Sequence, residues 1–167
     1  LYISSRVQKI STYAFYGAQL PKNLLFHPQS GLVISSYAFA YTNRLTDLSI
    51  YAKGDLIIET HTFCYSVTLE KLTLSSDSRI SISSFAFLGC KELRDLVIST
   101  PKTAFHPEAF SKNTSLINVI LSDSFYNFQL AYFSHLPKLK KLIIGNNTYQ
   151  TIQNSSEFFS ATPTENP

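Results

Sequence analysis

Four histidines, two cysteines and three Asn-x-Ser/Thr triplets are the residues of this 167-residue chain whose types and spacing could support chemistry. His27, His61, His106 and His135 have no carboxylate or cysteine placed with them as a nucleophile–base set or a metal site would require. The G-x-S-x-G, H-E-x-x-H, G-x-G-x-x-G and phosphate-loop patterns are all absent, and five glycines give a phosphate cradle little to build on. Each histidine therefore reads as a surface or turn residue. The sequence gives no reason to expect an enzyme, a metal or a cofactor. Cys64 and Cys90 stand 26 apart, out of phase with the period described next, and read as two free, partly buried thiols rather than a disulfide. Asn113, Asn146 and Asn154 open N-glycosylation triplets. In a chain this rich in Ser, Thr and Asn the triplets also arise by composition alone.

The elements that must position these residues follow one period. Phe15, Phe39, Phe63, Phe87, Phe110 and Phe133 are spaced 24, 24, 24, 23 and 23 apart. Five residues before each stands Ile10, Ile34, Ile58, Ile82, Phe105 or Phe128. Six after come Leu45, Leu69, Leu93, Leu116 and Leu139, with Pro21 in the first unit and Leu20 one place early. Nine after come Leu24, Leu48, Leu72, Leu96, Val119 and Leu142, and eleven after come Phe26, Ile50, Leu74, Ile98, Leu121 and Ile144. Five apolar columns in phase over six copies mark a solenoid. The L-x-L end of each unit alternates as a strand does. Such a strand buries its leucines only when copies stack, about 4.8 Å apart, into a parallel sheet. Leu32/Ile34, Leu56/Ile58 and Ile80/Ile82 alternate too, which predicts a short return strand, then a tight or helical turn carrying the phenylalanine. Alanine at 14, 38, 86 and 109 suits a crowded corner. Pro107 is expected to interrupt the fifth return strand.

L-x-x-L-x-L, together with the turn Ala86-Phe87-Leu88-Gly89-Cys90-Lys91-Glu92-Leu93 and the 23–24-residue period, resembles the BspA-like, Treponema-type leucine-rich repeats of bacterial and protozoan surface proteins. The resemblance covers about residues 1 to 160. It implies a β-rich leucine-rich-repeat solenoid of six repeats, with a parallel sheet on the concave face and short return strands and turns on the other. It also implies a cell-surface or extracellular location and a non-catalytic protein-binding or adhesion module, whose partner is a host or neighbouring-cell protein or glycan. The alternative is an intracellular leucine-rich-repeat scaffold binding a partner of the same cell.

Within that frame, residues 1–9 read as the end of a truncated preceding repeat, since Leu1-Tyr2-Ile3-Ser4-Ser5 copies Leu72-Thr73-Leu74-Ser75-Ser76. Residues 10–159 read as the solenoid, with a partial seventh repeat at 149–159 and Phe158-Phe159 folded back as a cap. Residues 160–167 read as a mobile tail. Exposed solenoid ends would allow self-association. Hydrophobic content of 44% and charged content of 15% are globular values. The net charge of +3 is mild, and Lys138, Lys140 and Lys141 form its one basic cluster, which reads as a solvated end. Nucleic-acid motifs are absent, and no run of about 18 apolar residues offers a membrane span.

Two columns are candidates for partner binding. Val97, Ile120 and Ile143, ten after their phenylalanines, would form an apolar strip facing out of the sheet, with Tyr51 two residues further along its own strand. Such strips mark interaction sites, although β-propensity alone also places β-branched residues there. Tyr41 and Tyr65, two after their phenylalanines, would stack on the turns beside a column of Tyr13, Tyr37, His61 and Phe85. That arrangement would stabilise neighbouring repeats and offer tyrosines to a partner.

Overall fold

The computed structural model describes residues 3–122, 136–145, 147–150 and 160–162. Phe128, Phe133, His135, Asn146, Asn154 and Phe158-Phe159 lie outside the described residues. The described chain is a solenoid of parallel strands. The return strands β1 (Lys9–Ile10), β3 (Leu32–Ile34), β5 (Leu56–Ile58), β7 (Arg79–Ile82) and β9 (Lys102–Phe105) form a five-stranded parallel sheet. The leucine strands β2 (Asn23–Phe26), β4 (Asp47–Ala52), β6 (Lys71–Ser76), β8 (Asp95–Ser99), β10 (Asn118–Leu121) and β11 (Lys141–Ile144) pair in parallel in the second sheet. There β12 (Asn147–Gln150) and β13 (Ser160–Thr162) follow antiparallel. The expected β-rich leucine-rich-repeat solenoid is what forms.

Register is strict because only one register buries the apolar columns. Leu24, Leu48, Leu72, Leu96, Val119 and Leu142 are buried, as are Phe26, Ile50, Leu74, Ile98, Leu121 and Ile144 and the leucines at 45, 69, 93, 116 and 139. Leu20 is buried in the first unit, so the one-place shift at Pro21 keeps a leucine in the core. The phenylalanines stack ring on ring from Phe15 to Phe110, with centroids 4.9–5.0 Å apart and the planes of Phe63, Phe87 and Phe110 within 1° of parallel. That spacing is the rung spacing of a parallel ladder.

One expectation is corrected here, and of the tight or helical turn the tight one forms. Pro107 does not interrupt the fifth return strand: β9 pairs with β7 over its whole length, and Pro107 falls two residues beyond it in the turn, where its missing N–H removes no ladder bond. The turn around each phenylalanine is not helical. Its N–H groups alternate: one crosses to the next rung and the following one closes a tight turn back along the chain, as Ala38 N does to Ser35 O at 3.1 Å and Ala40 N to Tyr37 O at 3.2 Å. Phe39 N donates to Thr62 O at 2.8 Å and Phe63 N to Ala86 O at 2.7 Å, while Tyr41 N donates to Cys64 O at 2.9 Å and Tyr65 N to Leu88 O at 2.7 Å. To aim them so, the residues two before and two after the phenylalanine take left-handed backbone. Tyr13, Tyr37, His61 and Phe85 have φ of 57–60°, and Tyr41, Tyr65 and Lys112 have φ of 55–61°, with Gly17 and Gly89 at the same phase. At Gly89 a Cβ would stand 2.9 Å from the Tyr65 ring, so this glycine also makes room for the neighbouring tyrosine.

Residues 149–150 belong to β12, antiparallel to β11, where the pattern begins a seventh repeat, and Ser160–Thr162 pairs with β12 where the pattern gives a tail.

Ion pairs also run between rungs. Lys53 reaches Asp77 at 2.9 Å, and Arg79 reaches Asp55 at 2.8 Å. The Ser78 hydroxyl, donating to Asp55 at 2.7 Å, together with the Arg79 guanidinium, holds the Asp55 carboxyl below the usual carboxylate range. The stabilisation from a lowered carboxylate is present above its unfolded value and is lost as pH falls through the folded one. The melting temperature of the chain should therefore fall more steeply on acidification than that of an Asp55→Asn variant, as read by thermal unfolding from neutral to acid pH.

Phe63 is fully buried between the rings of Phe39 and Phe87. Phe63→Ala should cost about 3–5 kcal/mol, a large part of the stability of a domain this size, as measured by urea unfolding.

Candidate functional site

The outward face of the leucine-strand sheet carries the first candidate surface. Pleating sends the residues between the buried leucines to solvent. Val97, Ile120 and Ile143 stand directly opposite one another across β8, β10 and β11. Ile120 is 39% exposed, and Val97 and Ile143 are half-buried. Lys71, Asp95, Asn118 and Lys141 run beside them in the same register. Asn118 Nδ2 donates to Asp95 Oδ1 at 2.7 Å and fixes the middle of that row. Lys71 lies opposite Asp47 on one side and Asp95 on the other, an arrangement of opposite charges that favours this register. An open groove of about 470 Å³ is lined by members of both rows, from Lys71 and Thr73 through Val97 and Ile120 to Lys141.

The remaining candidates lie elsewhere. Tyr51 is exposed on β4, outside that groove, and stacks on His27 at 5.2 Å. Tyr41 and Tyr65 stack at 5.3 Å on the phenylalanine turns, a separate side of the solenoid. The six partner-binding candidates thus fall into three places: Val97, Ile120 and Ile143 together on the sheet, Tyr41 and Tyr65 together on the turns, and Tyr51 apart from both.

Asn113 is not available as a glycan acceptor in this fold. It is fully buried and its Nδ2 donates to Phe87 O at 2.9 Å. It belongs to an inward polar column, three after Phe39, Phe63, Phe87 and Phe110, that the repeat pattern did not single out. Thr42 Oγ1 donates to Ser66 Oγ at 2.8 Å, Ser66 Oγ to Phe39 O at 2.9 Å, and Cys90 Sγ to Phe63 O at 3.3 Å. Ser66, Cys90 and Asn113 each donate to the phenylalanine carbonyl of the preceding rung, and Phe63 O and Phe87 O accept in addition from Ser66 N and Cys90 N of their own turns. The signal was present: Thr, Ser, Cys and Asn share one phase among apolar neighbours.

That column explains Cys90. Both cysteines are free and buried, more deeply than the partly buried thiols expected. Burial pushes the Cys64 thiol up to about 11 and raises Cys90 as well. His61 stacks between Tyr37 and Phe85, and His106 Nδ1 accepts from Glu108 N at 3.2 Å. Among the described residues no three His, Cys, Asp or Glu side chains converge as metal ligands, and no helix is long and apolar enough to cross a membrane.

The profile of the BspA type leucine rich repeat region matches residues 1–53 and 32–163 in six copies. The chain belongs to the BspA-type leucine-rich repeat family. Neither the curated proteins nor the solved structures give a match. BspA-type repeats are typical of bacterial surface proteins and generally serve as non-catalytic, protein-binding scaffolds. In this BspA-type chain the repeat consensus is spent on the buried columns, so any partner is read by positions the family pattern leaves free.

The thiolate is the reactive form of cysteine, and both thiols here are buried and raised. A disulfide thiol reagent at neutral pH should leave Cys64 and Cys90 unmodified in the folded chain and titrate both in denaturant. Rapid labelling of the native chain would contradict this packing.

Proposed function

We propose that this chain is a non-catalytic protein-binding module of a cell-surface protein, and that the groove beside Ile120 receives a protein of a host or neighbouring cell. The observation that supports this most directly is the apolar strip itself. At the same phase Ser49 and Thr73 serve in β4 and β6, so a strand position here does not demand a large apolar side chain. Val97, Ile120 and Ile143 nevertheless place three in register, flanked by charged and amide groups. An apolar centre with a polar rim is the usual anatomy of a protein interface. A side chain of the partner would anchor in the groove, and Lys71, Asp95 and Lys141 would set its orientation.

Ile120→Asp tests this. Ile120 is 39% exposed on an interior strand, where aspartate is a poor strand former, so the change should cost about 1 kcal/mol of stability and leave the chain folded, while binding of the chain to intact target cells should drop about tenfold or more. The location is tested by labelling the full-length protein on intact source cells beside a permeabilised control. Labelling only after permeabilisation would discard adhesion in favour of an intracellular scaffold.

A further inference from the structure

The phenylalanine turns of the first three rungs carry a continuous aromatic surface, separate from the sheet face and independent of the groove. Tyr13, Tyr37 and His61 stack at 5.2 and 5.0 Å, Tyr41 stacks on Tyr65 at 5.3 Å, and Tyr16 joins the two columns, at 5.5 Å from Tyr13 and 5.4 Å from Tyr41. Tyr13, Tyr16 and Tyr41 are 57%, 49% and 47% exposed. Rung packing alone does not demand these rings. Gly17 and Gly89 hold the same left-handed position as Tyr41 and Tyr65, and Gln19, Asn43 and Thr12 stand exposed around them.

The charge on this surface is what identifies its partner. Residues 12–19, 36–43 and 60–67 contain no Asp, Glu, Lys or Arg, in a chain that is 15% charged. The polar side chains are mainly phenols, hydroxyls and amides, with the His61 imidazole in the first column and the Glu59 carboxylate at the edge, held by Ser36 N at 2.9 Å and Ser36 Oγ at 3.3 Å. We propose that this side of the solenoid binds a neutral glycan, an extended β-linked polysaccharide lying along the solenoid axis. The stacked rings cover one another's faces and leave their edges and phenol hydroxyls to a ligand, and sugar hydroxyls can bond these and the neighbouring amide and hydroxyl groups without a counter-charge. Tyrosine supplies both an apolar body and a polar tip. The fit is also periodic. An extended β-linked chain advances by about one rung per sugar, so one weak contact recurs on successive rungs and the contacts add through avidity. A proline-rich peptide fits less well, because it docks by setting its rings between aromatic ridges. Stacked rings 5.0–5.3 Å apart leave no slot for a pyrrolidine ring.

The test is depletion of the 167-residue chain from solution by insoluble cellulose and by chitin, both neutral β-linked polymers, beside heparin beads. The expected result is retention on at least one neutral polymer, unchanged by added salt because no charge takes part. Tyr13→Asn with Tyr41→Asn should weaken it about tenfold; asparagine tolerates the left-handed backbone at both positions. Tyr41→Phe, which keeps the ring and loses the hydroxyl, should give an intermediate loss with the fold intact. Ile120→Asp should leave retention unchanged, which separates this surface from the groove. Retention on neither neutral polymer, retention on heparin alone, equal retention of the double variant, or displacement by a polyproline peptide would each overturn the proposal.

Discussion

Parallel pairing of one rung to the next sets a single spacing, and every layer of the molecule obeys it. The two strand ladders repeat at that spacing, and so do the N–H to carbonyl bonds of the turns, from Phe39 N–Thr62 O to Phe87 N–Ala109 O. The phenylalanine rings lie at 4.9–5.0 Å because the backbone holds them there, close to the separation at which flat rings touch. Backbone pairing and ring packing therefore favour the same geometry. A phenylalanine is the side chain that satisfies both, and it recurs in phase for that reason.

Contacts in such a stack are made between neighbours, so stability accumulates rung by rung. Polar groups inside the stack have to be answered locally as well. The phenylalanine carbonyls are answered by the column three residues on, with Ser66, Cys90 and Asn113 serving in turn. A cysteine in that row is a weak donor in a donor's place, not a redox centre. Thr62, the residue preceding Phe63, has a comparable role and donates to Glu59 O at 2.6 Å. The left-handed turns cost backbone energy, roughly 1–2 kcal/mol for each residue with a Cβ. The inter-rung hydrogen bonds and the stacking of the tyrosines that occupy them offset it.

The two outer faces differ in kind because they come from different segments of the unit. The leucine strands are pleated, so alternate positions face out with any side chain that tolerates a strand, and charge alternates along one row from Asp47 to Lys71 to Asp95. The phenylalanine turns hold their outward residues in left-handed backbone, and there tyrosines stack without a charge among them over three rungs. One solenoid thus carries a charged, grooved face and a neutral, aromatic one.

The amino-acid sequence determined the period, the five buried columns, both strand sets and the stacking order, because burial on a parallel ladder permits no phase error: Leu48, Leu72 and Leu96 had to align once Phe39, Phe63 and Phe87 did. It also showed the apolar strip of Val97, Ile120 and Ile143, since pleating follows from counting. The turns had to be settled in three dimensions. Pattern alone does not distinguish a helical turn from a left-handed one, because the choice lies in whether every N–H bonds back along the chain or every second one crosses to the next rung. Bonding to the preceding rung likewise decided that Asn113 and Cys90 point inward. Whether a polar side chain faces solvent or a buried carbonyl depends on the rung beneath it, and that neighbour lies 23 or 24 residues away in the chain.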